Sequence, residues 1–234
     1  MRVTGVDACR GGWVAVSLDG PGPAAGPRGP GRPGAGWVAT VRVHGTLAGL
    51  LGQDAAAVTG IDMPLGLLGS GWREADRAAR GLLGPRRSTV FAIPPRAVWE
   101  QASYPAASQR CRELTGQGFS IQAWGLRAKL LEADRYRDTC GHPLYEVHPE
   151  LAFSAMAGVP LAYSKHTEAG REQRRALLGQ AGIVLPAASP APVTDTLDAA
   201  AVAWSAWRIA AGRAEVIPGT PQRDCRGREI AIRY

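Results

Sequence analysis

The sequence predicts an α/β fold: a mixed sheet flanked by helices, with a helical region inserted into it. Three observations predict it. Short strand-like runs crowd the first sixty residues, a basic helical stretch separates them from a later strand, and a long alanine-rich helix follows near the end. Strands and helices in that order build a sheet whose faces are covered by helices.

The elements follow in order. "RVTGVDA" and "WVAVSLD" read as strands joined by the tight turn "CRGG". Residues 20–36 hold 12 Gly or Pro in 17 positions, a composition that buries no core and predicts a flexible loop. A third strand, "GWVATVRV", follows and makes that loop the tip of a hairpin in an antiparallel meander. "GTLAGLLGQDA" is a short helical connection. "AVTGID" is a fully apolar strand stopped by Pro64, as expected of a central strand in a covered sheet. Residues 71–138 then turn helical and basic: "WREADRAARGLL", the Pro-broken loop "GPRRSTVFAIPPR", and helices over 104–115 and 120–138. "PLYEVHP" returns as a strand. "PELAFSAMAG", "EAGREQRRALLGQAG" and "APVTDTLDAAAVAWSAWRIAAG" are helices, and "REIAIRY" is an edge strand at the tail.

The 234 residues suit a single domain carrying an insertion, and 45% hydrophobic with 20% charged residues is an ordinary globular balance. No apolar run reaches the roughly 20 residues of a membrane span. Asp7 comes too early for the apolar core of a signal peptide, which leads to the expectation of a cytoplasmic protein with no membrane partner. Cys9, Cys111, Cys140 and Cys225 form no C-x-x-C, and His44, His142, His148 and His166 show no ligand spacing. That argues against zinc and predicts thiols rather than disulfides. The net charge of +7 is uneven: residues 71–137 hold 12 Arg or Lys against 6 Asp or Glu, leaving 15 against 14 elsewhere. Such a basic segment suits a polyanionic partner such as nucleic acid. The compositional alternative is that arginine, 25 of the 27 cationic residues, reflects codon bias.

Acidic residues carry the chemistry. Asp7 sits in the first strand among Val3, Val6 and Val14, where a carboxylate is costly unless paired or metal-bound, or where it closes an Asx turn. Asp62 ends the apolar strand, the usual place for a ligand or catalytic group in an α/β sheet, although a turn residue before Pro64 is as common. Glu146 interrupts "LYEVHP" and needs a reason only if it faces inward. Glu150, after Pro149, reads as favourable charge in a first helical turn. In "VTDTLDAAAVAW" Thr194 is the expected cap and Asp195 a first-turn acid, while Asp198 borders the buried face of Ala199, Val202, Ala206 and Ile209. Two acids three apart share one face, and the cap explains only one of them. Several carboxylates without His or Cys suit Mg²⁺ or Mn²⁺, and two such ions promote phosphodiester hydrolysis.

The stretches "GVDACRGGW", "IDMPLGL", "ADRAARGLLGPRRSTVFAIPPR", "GFSIQAWGLRAKLLEAD", "YEVHPELAF" and "DTLDAAAVAW" run through nearly the whole chain. On them the sequence resembles the ribonuclease H-like superfamily and, more narrowly, the predicted-nuclease family numbered 429 among the domains of unknown function. The resemblance implies a single ribonuclease H-like domain over residues 1–234, with a mixed five-stranded sheet and the first strand central. It implies Asp7 and Asp62 on adjacent strands, Glu146 on the strand beside Asp62, and Asp195 and Asp198 facing them from the last helix. These five are then the catalytic and metal-binding set, and Mg²⁺ or Mn²⁺ the cofactor. The family commonly opens its late motif with two consecutive acids; here Thr194 takes the first place.

The implied activity is metal-dependent hydrolysis of nucleic-acid phosphodiesters, with DNA or RNA as partner. Arg86, Arg87 and Ser88 could grip phosphates in forked hydrogen bonds, and Arg96, Gln122, Lys129 and Lys165 could line a substrate groove. Trp72, Trp99 and Trp124 either stack bases or pack a core. A non-catalytic nucleic-acid-binding protein of the same fold is the alternative. A phosphoryl-transferring relative of the actin-like ATPases ranks last, because that architecture needs two such domains.

Overall fold

The computed structural model describes residues 1–20, 37–52 and 54–234. The expected Gly/Pro loop therefore lies outside the described residues except for Gly20. In chain order the elements are β1 (Arg2–Cys9), β2 (Gly12–Asp19), β3 (Val38–His44), α1 (Leu47–Leu51), β4 (Val58–Ile61), α2 (Glu74–Leu83), a 3-10 helix (Gly84–Thr89), α3 (Arg96–Trp99), α4 (Tyr104–Thr115), α5 (Ile121–Trp124), α6 (Arg127–Thr139), β5 (Leu144–Glu146), α7 (Pro149–Ala157), α8 (Glu168–Gln180), α9 (Val193–Ala210), β6 (Val216–Arg223) and β7 (Glu229–Arg233).

The chain divides into two compact units, Met1–Met63 with Thr139–Glu215 and Arg233–Tyr234, and Pro64–Asp138 with Val216–Ile232. In the first, the strand order is β3-β2-β1-β4-β5. β1 to β3 form the antiparallel meander, and β4 and β5 run parallel to β1. This is the mixed sheet the sequence predicts, with β1 central. The turn between β1 and β2 narrows to Arg10 and Gly11, since Cys9 already faces Gly12, and Gly11 takes a φ of 83° that only glycine adopts without strain.

Helix α9 lies across one face of this sheet, and glycine sets how close it comes. A Cβ on Gly5 would stand 2.1 Å from the Ala203 nitrogen and 2.2 Å from the Ala199 carbonyl oxygen. At Gly60, next to Gly5 in the ladder, it would meet a Val202 methyl at 2.8 Å. The alanine run of α9 supplies the other half of that approach. Val3, Val14, Val16, Leu18, Phe153, Ala199, Ala203 and Trp207 fill the resulting core, each fully buried Val, Leu or Phe stabilising by about 1.5–3 kcal/mol. Alternation turns Thr4 to the opposite face. There its hydroxyl donates to Asp54 at 2.8 Å, and Arg42 closes the network on the same carboxylate at 2.8 Å.

In the second unit, Trp99 is completely buried. It stacks on Trp124 with centroids 6.2 Å apart, meets Phe119 edge-on, and donates its indole N–H to the Pro94 carbonyl at 3.0 Å. Trp72 and Trp124 pack against the neighbouring core of Val98, Ala107 and Cys111. Of the two roles open to the three tryptophans, core packing is the one they fill.

Several sequence expectations change. The helix expected over 120–138 is two, α5 and α6, separated at Gly125 and Leu126. The tail strand has β6 beside it, and β6 escaped notice because Pro218, Gly219 and Pro221 read as a turn. Seven strands are thus described where five were expected. Cys9, Cys111, Cys140 and Cys225 are thiols, as expected.

Candidate functional site

Parallel pairing puts Val6 beside Ile61, and the Asp62 N–H donates to the Val6 carbonyl at 2.8 Å. Asp7 and Asp62 therefore leave neighbouring strand ends side by side. Both are two residues beyond a glycine that faces α9, so the two-residue period of a strand sends both carboxylates toward that helix. The helix answers with Asp198, only 2% exposed. Asp195, one turn earlier, is half-buried. Its N-cap is Pro192, not Thr194; the Thr194 hydroxyl donates to the Asp195 carboxylate at 3.0 Å instead.

The electrostatics follow from this crowding. Burial lifts the Asp7 carboxyl well above its ordinary value, and the nearby carboxylates of Asp62 and Asp198 lift it further. Burial and then Asp198 push Asp62 up to about 8. Burial also lifts Asp198, against the pull of the Lys165 ammonium. Lys165 Nζ donates to Asp198 Oδ2 at 2.6 Å. Burial pulls the lysine down, but Asp198, Asp7 and Asp62 outweigh it and hold the ammonium charged.

Raised carboxyl values have a sign. The folded chain binds protons that the unfolded chain has already lost between about pH 4 and 8. The stabilisation is complete below the ordinary aspartate value and disappears as pH climbs to about 8. We expect the metal-free protein to lose stability over that window as the raised Asp62 and Asp7 carboxyls give up their protons. Melting curves at pH 5 and 8.5 check it: Asp62→Asn should flatten the dependence, and an unchanged slope would remove Asp62 from the cluster.

Glu146 is less central than expected. It pairs with Ile61 rather than Asp62, so alternation starts its side chain on the other face of the sheet. It contributes only the last of the repulsions felt by Asp62. A three-residue strand does not reveal its facing from sequence.

Glu150 and Arg174 were missed. Glu150 is buried, and both its oxygens accept from Arg174 Nη2, at 3.0 and 2.7 Å. Arg174 also donates to the Tyr163 and Gly170 carbonyls, tying α7 and α8 to the loop that carries Lys165. Both charges reach Asp198. No sequence signal joins two residues on separate helices. Arg174→Met strands a buried carboxylate, so we expect a loss of about 3 kcal/mol, read by chemical denaturation. Replacing Glu150 as well should recover part of it; no recovery would mean that Arg174 matters for its carbonyl bonds alone.

The remaining substrate candidates belong to the second unit. Arg87, Ser88 and Gln122 are exposed and Arg86 is half-buried. Lys129 lies 3.9 Å from Glu132. Arg96 donates to buried Asp134 at 2.6 Å and to the Cys225 sulfur at 3.3 Å, so its guanidinium is already engaged.

Among the described residues no three or more His, Cys, Asp or Glu side chains are arranged to hold a metal as they stand. The donor set nonetheless fits an oxygen-seeking cation. Three carboxylates lie close enough to repel one another, and the Lys165 ammonium is hydrogen-bonded to one of them.

No helix among the described residues is long and apolar enough to cross a membrane. Comparison with curated proteins gave no match. Among solved structures, RuvC of Thermus thermophilus is similar at 14% identity, with a TM-score of 0.42 over 91% of this chain and 98% of that one. The family model described as "Protein of unknown function (DUF429)" matches residues 5–223, from the strand bearing Asp7 to beyond the helix bearing Asp198, and the chain belongs to that family.

Proposed function

We propose that the protein is a metal-dependent nuclease hydrolysing phosphodiester bonds of DNA or RNA. The observation that carries this reading is the convergence of Asp7, Asp62 and Asp198 from two adjacent strand ends and the facing helix, with burial and mutual repulsion raising Asp7 and Asp62. Asp7, Asp62 and Asp198, with Asp195 and Glu146 at the margins, would hold Mg²⁺ or Mn²⁺. Such ions, when bound, make water a nucleophile at neutral pH and neutralise charge on a phosphate.

The chain's own residues prepare for this. Gly5 and Gly60 bring α9 close enough for Asp198 to reach the strand acids. The buried Glu150–Arg174 pair fixes the loop beside them. Exposed Arg87 and Ser88, together with Arg86, supply donors suited to a phosphate backbone.

A screen of labelled single-stranded, duplex and branched DNA and RNA with Mg²⁺ or Mn²⁺ tests the reading. Cleavage that stops on chelation supports it. Binding without cleavage on every substrate would overturn it in favour of the non-catalytic alternative.

A further inference from the structure

We propose that Lys165 is a built-in counter-cation that fills the cation seat at Asp198 and must surrender it when a divalent ion binds. This rests on the metal reading above. The ammonium donates a hydrogen bond to Asp198 Oδ2 at 2.6 Å. Asp198 is buried on α9 at 2% exposure, whereas the Lys165 side chain is 39% exposed with room to reach solvent. The chain has two lysines and 25 arginines. Against Asp198 it uses the compact, strongly hydrated ammonium, which resembles an ion, rather than the planar guanidinium.

One positive charge on a flexible stem neutralises one carboxylate but cannot gather three. That is why the acids stand close without forming a ready metal cluster. An entering divalent ion competes with Lys165 for Asp198, because two cations on one carboxylate repel each other strongly at that distance. The exchange lowers metal affinity and in return stabilises the metal-free chain. The loop supports such an exchange: Arg174 pins Tyr163, and the Thr167 side chain caps α8. The backbone is held on both sides while the lysine stem moves.

The test is a Mn²⁺ titration of metal-free wild type and Lys165→Met, reading free Mn²⁺ by electron paramagnetic resonance, together with melting curves of both. We expect Lys165→Met to bind Mn²⁺ about tenfold more tightly, the scale of one close charge pair. It should also melt several degrees lower without metal and recover when saturated. Lys165→Gln, which keeps a donor for Asp198 without the charge, carries the test if the methionine variant does not fold. Arg135→Met, which removes an exposed cation from α6, is the control and should match wild type. Equal or weaker binding by the Lys165 variants overturns the exchange while leaving the metal reading intact. No Mn²⁺ binding by any form overturns both.

Discussion

Asp7→Asn is expected to stop metal-dependent cleavage while leaving the fold in place. The side chain is buried, and its Oδ1 accepts the Ala8 N–H at 2.7 Å. An asparagine oxygen keeps that bond, so the turn into β2 survives. What disappears is the charge. Asp7 is the strand acid on which Asp62, Asp198 and Lys165 all act, and an amide neither binds a hard cation as a carboxylate does nor balances its charge. Turnover should fall about a thousandfold or more, the scale of losing one preorganised charge at a reaction centre. The metal-free variant should be as stable as wild type or slightly more so, since the carboxylate removed is one that burial and its neighbours disfavour. Activity and melting are measured on the same preparation. Cleavage within tenfold of wild type would mean that Asp7 is a turn residue after all.

Gly5→Ala is expected to cost the first unit its fold, an unusual result for one added methyl group. The new Cβ would fall 2.1–2.2 Å from backbone atoms of Ala203 and Ala199. Neither atom can rotate away as a side chain does. Helix α9 would have to retreat by more than 1 Å from the central strand, opening the core at Val3, Val14 and Val16. We expect a loss beyond about 5 kcal/mol, seen as insoluble protein or a melting point lower by well over 10 °C. A variant melting within a few degrees of wild type would show that α9 is free to shift. Metal affinity would then be the next measurement, because a retreating helix carries Asp198 away from Asp7 and Asp62.

The strand acids were legible for a physical reason. Asp7 sits within a largely apolar strand and Asp62 at the end of another, and a carboxylate in such a place demands a partner. Asp198 was legible because a helix cap accounts for one acid of a pair and not for the second. The same logic misplaced the cap itself, since Pro192 and Thr194 are both compatible with a helix start. Facing is harder to read than position: Glu146 could be assigned a strand but not a side of it. Pairings between elements were not legible at all. Glu150 looked like ordinary first-turn charge until Arg174, 24 residues on, was found against it. Lys165 gave no hint that its partner is a site acid rather than a ligand. β6 was hidden by its own prolines, which mark turns far more often than strands.

The division of the chain has a consequence for how the protein is made. Both units are closed by late segments: the first by α9 and Arg233–Tyr234, the second by Val216–Ile232. Buried Asp134 waits for Arg228, synthesised 94 residues later, which then donates to it. The α9 face of β1 waits for Ala199 and Ala203. At roughly 5–20 residues per second of synthesis, the apolar first strands emerge many seconds before their cover exists. Neither unit can complete its fold until the segments from α9 through β7 have been made, and until then the β1–β2 hairpin, with its valines bare, is a segment a holding chaperone would be expected to bind.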